Sequence, residues 1–97
     1  MKIPETLTIE LTVEDVAQGE RHNPYRNPFA LAVKRALEYA GHKVQSVASG
    51  RQTFLVHLKA DSCLYATPPE VAAIMEAFEV GDSHLLKTGV FKLVRYA

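Results

Sequence analysis

Side chains capable of chemistry are few in this chain, and their spacing limits what they can do. His22, His42, His57 and His84, together with Asp61 and Cys63, are the residue types that ligate metals. A zinc site built on local sequence needs at least one close pair, two cysteines or two histidines a few residues apart on a turn or a helix face. The nearest approach here is His57 with Asp61 and Cys63, so neither a metal site nor a cofactor is expected. Cys63 could serve as a nucleophile only beside a base or in positive surroundings that favour the thiolate. Its neighbours are Ser62 and Leu64 with no nucleophile turn around them, so an inert, partly buried thiol just ahead of the second long helix is expected. No glycine-rich loop opens a helix, and Glu14, Asp15, Glu70 and Glu79 are explained as caps or solvated helix residues. The reading is of a protein that is not an enzyme.

The most varied polar stretch is Glu-Arg-His-Asn-Pro-Tyr-Arg-Asn at 20–27, where Arg21, His22, Tyr25 and Arg26 gather ahead of a helix start. Unpaired N–H groups at such a start attract anions, and Arg and Tyr are common anchors of protein interfaces. A binding site is expected here, for a phosphate, a carboxylate or a partner protein. Lys34 and Arg35 on the following helix extend the candidate set to Arg21, His22, Tyr25, Arg26, Lys34 and Arg35. Its cations Arg21, Arg26, Lys34 and Arg35 also define an alternative, a small nucleic-acid-binding module with phosphate contacts and strong salt dependence. Base stacking on a sheet is not expected, because Leu7 to Thr12 supplies no aromatic residue and Phe54 belongs inside with Val56 and Leu58.

These residues must be positioned by one small domain spanning 1–97. The 97 residues, 47% hydrophobic, are enough to bury a single core but leave no room for a second. Eleven Lys and Arg balance eleven Asp and Glu, which excludes a broad electrostatic footprint for nucleic acid or an acidic membrane. Neutrality also weakens mutual repulsion and favours self-association, so a homodimer is among the expected states. A single cysteine, no apolar run of signal-peptide length and no stretch of membrane-spanning length point to a cytoplasmic chain with no membrane partner.

Leu7, Ile9, Leu11 and Val13 alternate with polar residues, the period of a half-buried strand. Thr12 and Asp15 form a capping-box pattern that opens a short turn, closed by Gly19. Asn27 as cap, Pro28 at the first helical position and Gly41 as stop delimit a helix over 28–40, with Phe29, Val33, Ala36, Leu37 and Ala40 on one side. Val44 to Ala48 and Thr53 to Lys59 read as a hairpin. Thr67-Pro68-Pro69-Glu70, followed by Val71, Ile74, Met75 and Phe78, predicts a second helix ending at Gly81. Val90 to Tyr96 is a last strand, with Phe91 and Leu93 inward. The order β-α-β-β-α-β predicts an α+β fold, a four-stranded antiparallel sheet with two helices packed on one face in the ferredoxin-like arrangement. The same elements permit another strand order with one helix on each face.

Three segments together resemble a group of small uncharacterised proteins of bacteriophages and bacteria, especially actinobacteria and their phages: Val13 to Gly19, Asn27 to Leu37, and Pro68 to Val71 continuing through Phe78 to Gly81. In that group the long helix often opens with Cys-Pro, where this chain has Asn27-Pro28, so no role of that thiol carries over. The resemblance implies no activity, and points to a phage-encoded accessory protein that binds a host or viral macromolecule. The expectation is therefore a small non-enzymatic binding protein that binds or inhibits a host protein through the loop. A nucleic-acid-binding module and an undetected enzyme or ligand-binding domain are the alternatives.

Overall fold

The computed structural model of the chain describes residues 3–59, 61–81 and 87–96. His84 lies outside them. The elements run β1 (Thr6–Leu11), α1 (Val13–Gln18), α2 (Pro28–Tyr39), β2 (Val44–Ala48), β3 (Thr53–Leu58), β4 (Ser62–Ala66), α3 (Pro69–Val80) and β5 (Gly89–Arg95). The strands form one antiparallel sheet in the order β1-β5-β4-β3-β2, curled into a half-barrel. Along each strand alternate residues turn to the concave side, among them Leu7, Ile9 and Leu11 on β1, Phe54 and Val56 on β3, and Leu93 on β5. There they join Phe29, Val33 and Leu37 of α2 and Val71, Ile74 and Met75 of α3 in one core. α2 contacts both outer strands, β1 and β2, so it lies across the open side of the curl.

The fold is not the four-stranded ferredoxin-like sheet with two helices on one face. The described residues form five strands and three helices, with β1 at an edge of the sheet and β5 inserted between β1 and β4. The difference traces to Ser62–Ala66. Only Cys63 and Tyr65 of this short strand are buried, and a two-residue alternation in a mixed Ser-Cys-Leu-Tyr-Ala stretch is too little pattern to mark a strand. A tight reversal pairs β4 with β3, with the Leu58 N–H donating to the Asp61 carbonyl at 2.8 Å. This extra reversal displaces the final strand to a new place in the order. Cys63 is accordingly a buried core residue on a strand, and burial pushes its thiol up, away from the reactive thiolate.

The helix boundaries follow from local chemistry. Thr12 and Asp15 close a reciprocal capping box on α1, and Asn27 caps α2 by accepting from the Ala30 N–H at 2.8 Å. Gly41, at φ 98°, takes the left-handed position after α2, where the His42 N–H reaches back to the Leu37 carbonyl at 3.0 Å. α3 starts one residue later than the capping pattern predicts. Pro68 is its N-cap without a side-chain bond, because the Thr67 hydroxyl donates instead to the Gly50 carbonyl at 2.8 Å. Thr67 thereby ties the start of α3 to the β2–β3 turn.

Tyr65, wholly buried on β4, donates its hydroxyl to the Pro4 carbonyl at 2.6 Å. Burial, with nearby Cys63 adding and Arg95 opposing, pushes the phenol up to about 12. The folded value lies above the ordinary phenol value of about 10, so this contribution to stability is intact below that pH and is lost as pH rises toward the folded value. Tyr65→Phe is expected to cost about 1 kcal/mol at neutral pH through the lost hydrogen bond. It should also flatten the alkaline loss of stability, as urea unfolding at neutral pH and near pH 11 will show.

Candidate functional site

Segment 19–27 is a compact loop with a closed neck. The Glu20 N–H donates to the Arg26 carbonyl at 2.9 Å, and the Arg26 N–H to the Asn23 carbonyl at 3.1 Å, the form of a small Ω-loop. At the neck Gly19 packs directly on Pro28, for a β-carbon on Gly19 would lie 2.5 Å from the proline ring. The requirement is for space, since Gly19 has an ordinary φ of -65°. Gly19→Ala must push the neck apart and is expected to cost about 2 kcal/mol, read as a lower urea midpoint with an unchanged slope.

Three anchors fix this loop against the rest of the fold. His22, at φ 59° the one non-glycine left-handed residue among those described, donates its N–H to a Glu79 carboxylate oxygen at 2.6 Å. Its ring Nδ1 lies 3.2 Å from the same oxygen. The Arg21 guanidinium sits beside Gly81, within 3.0 Å of where a β-carbon there would be, at the carbonyl-rich end of α3 that attracts cations. On the other side the Pro24 carbonyl accepts from the Ser49 N–H at 2.9 Å and from the Ser49 hydroxyl at 3.0 Å. Buried Asn27 completes the junction, its Nδ2 donating to the Ser49 hydroxyl and lying 3.8 Å from the Met75 sulfur while its carbonyl oxygen caps α2.

Between these anchors lies a cleft of about 530 Å³, walled by the loop (His22, Asn23, Pro24, Asn27), the β2–β3 turn (Ser49, Gly50, Arg51) and α3 (Ala72, Met75, Glu76, Glu79, Val80). Its volume is within the range of small-ligand and side-chain pockets. The walls differ in sign. Glu76 and Glu79 stand three residues apart on one face of α3, and Arg51 faces the cleft from the turn. Among the described residues neither Glu76 nor Arg51 forms an ion pair.

Of the six residues expected to bind, only His22 lines this cleft. Arg21 is held at the end of α3, and Tyr25 is 57% exposed on the loop outside the cleft. Arg26 pairs with Glu20 at 2.6 Å, both side chains being more than half exposed. Arg35 is committed to Asp15, and neither it nor Lys34 reaches the cleft. Arg51, Glu76 and Glu79 were missed because they are remote in sequence from the loop. The pair Glu76 and Glu79 on one helix face was the available signal.

Of the residues considered for metal binding, Cys63 points into the core opposite Val56, while His57, opposite Ser62, is exposed on the convex side. Among the described residues no three His, Cys, Asp or Glu side chains converge as a metal site, and no helix is long and apolar enough to cross a membrane. No protein-family model, curated protein or solved structure matches the chain.

Proposed function

We propose that this chain is a small non-enzymatic binding protein that receives side chains of a protein partner in the cleft between the 20–27 loop, the β2–β3 turn and α3. One observation carries the reading: charges of opposite sign with no ion-pair partner among the described residues, Arg51 and Glu76, face a cleft with an apolar Ala72 and Met75 wall. Such a mixed lining suits a protein surface, which carries both signs and apolar groups together. A nucleic-acid partner gains less support, since Arg26 and Arg35 are already paired with carboxylates. The resemblance of three helix and cap segments to small phage and bacterial proteins adds a phage accessory factor acting on a host protein as the setting.

The test is affinity capture from bacterial lysate, half of it nuclease-treated, with the natural chain and with Glu76→Lys and Arg51→Glu. Both positions are exposed, so the variants should fold. Capture of a protein that survives nuclease and falls on the order of tenfold in either variant is the expected result. Equal capture by all three chains, or capture only without nuclease, would overturn the cleft reading.

A second reading rests on the contact of His22 Nδ1 with Glu79, the arrangement that orients an imidazole as a general base. Against it, the one hydroxyl among the described residues of the cleft wall, Ser49, already donates to the Pro24 carbonyl. Hydrolysis of an ester panel that disappears in His22→Gln would favour catalysis over binding.

A further inference from the structure

β5 is paired unequally on its two sides. Toward β1 it pairs from Thr6↔Val94 to Leu11↔Gly89. Toward β4 only Tyr65↔Arg95 and Ala66↔Val94 are matched. The ladder stops there because β4 runs into Thr67-Pro68-Pro69: two prolines offer no N–H, and the chain turns away into α3. The direction of the β5 backbone groups follows from two bonds, the Arg95 N–H donating to the Glu5 carbonyl at 2.7 Å and the Tyr96 N–H to the Leu64 carbonyl at 2.7 Å. In an antiparallel ladder these directions alternate, so odd-numbered residues of β5 address β1 and even-numbered ones the β4 side. The N–H and C=O groups of Val90 and Lys92 therefore face the space beyond the end of β4, where no described strand pairs with them.

That space is a groove of about 400 Å³, with Glu70, Ala73 and Ile74 of α3 along one wall and Gly89, Val90 and Phe91 of β5 along the other. We infer that this groove binds an extended peptide segment, which adds to the edge of β5 left unpaired by the described residues, as a strand in the lane that β4 vacates. The backbone of Val90 and Lys92 supplies two donors and two acceptors, recognition that depends on main-chain pairing and not on side-chain identity. The incoming strand lies antiparallel to β5, in the direction of β4. Its alternate side chains then differ in chemistry: one set enters beside Ile74 and Phe91 and must be apolar, and the other lies on the convex face beside Val90 and Val94. The outer strands of the sheet are less suited to this role, since both contact α2 and β2 is bulged between Val44 and Ser46.

The experiment uses the full chain, ¹⁵N-labelled, with acetylated and amidated hexapeptides alternating Thr with Val, Ile, Leu or Phe as probes. Without peptide, the Val90 and Lys92 amides are expected to exchange with solvent about a hundredfold faster than Val94 and Tyr96. Saturating peptide should slow those two amides by about tenfold or more. The slowing should vanish when alternate peptide nitrogens on the pairing edge are methylated. It should also vanish in Ala73→Arg, an exposed position on α3 whose new side chain fills the groove without changing Tm. Four results would overturn the inference: Val90 and Lys92 already protected in the peptide-free chain, protection that grows with protein concentration and so reports a second copy, equal binding of the methylated peptides, or no slowing by any probe at millimolar concentration.

Discussion

Phe29→Ala is expected to lower the unfolding free energy by about 4 kcal/mol, the cost of removing a large buried ring from a site that cannot collapse around the loss. Phe29 is 1% exposed at the second position of α2, where the helix enters the mouth of the half-barrel. Its ring meets Phe91 of β5 edge-on, centroids 5.5 Å apart at 70°. Loss of this ring leaves a void between the helix and the strand that joins the two parts of the sheet. The total stability of a domain this size is about 5 to 15 kcal/mol, so the variant should be partly unfolded in mild denaturant, as urea titration followed by circular dichroism will show. Phe91→Leu, at a half-buried partner, should cost about 1 kcal/mol, and the double variant should show a coupling near 1 kcal/mol. Additive losses would mean that the two rings do not interact.

Arg35→Ala carries the second large effect, about 2 kcal/mol, because it strands a buried carboxylate. Asp15 is 4% exposed. It accepts from the Arg35 guanidinium at 2.6 and 2.7 Å and from the Thr12 N–H at 2.9 Å. The second Arg35 nitrogen also donates to the Glu10 carbonyl at 2.5 Å, so one side chain joins α2, α1 and the end of β1. Half of Arg35 is exposed, and solvent screening keeps the effect below that of a fully buried pair. Burial alone would push the Asp15 carboxyl up. The hydrogen bond from Arg35 and those at Thr12 outweigh it and hold the carboxyl below its ordinary value. A depressed folded value means that the contribution is fully present above the ordinary carboxylate range, about 4, and is lost as pH falls through the folded value. The gap in stability between the natural chain and Arg35→Ala should therefore be widest near neutrality and narrow below about pH 4. A gap independent of pH would assign the effect to packing of the arginine stem.

Wherever an element is marked by local chemistry, it was legible in the sequence. Thr12 with Asp15, Asn27-Pro28 and Gly81 announce helix ends because their side chains or backbone conformations act within a few residues. The alternation of Leu7, Ile9 and Leu11 likewise marks β1 and its buried face. What could not be read depends on distance. β4 is defined by its pairing with β3 and not by its own composition, and its omission changes the strand order as well as the strand count. The cleft was half legible for the same reason: the polar loop is visible as a loop, but Arg51, Glu76 and Glu79 enter only after the sheet and α3 are placed. Arg35 shows the converse error. Its type and its place on a helix suggest a free cation, while its partner Asp15 stands on a different helix.

The pairing of β1 with β5 also has a consequence in time. β1 finds its partner only in β5, far along the chain, so during synthesis the ladder from Thr6↔Val94 to Leu11↔Gly89 cannot begin until β5 has left the ribosome. The β2–β3–β4 meander, joined by short turns, is free to assemble earlier. Leu7, Ile9 and Leu11 must wait with their apolar side chains unburied by that ladder, and β1 is therefore the segment most exposed to chaperones and to misassociation in a nascent or truncated chain.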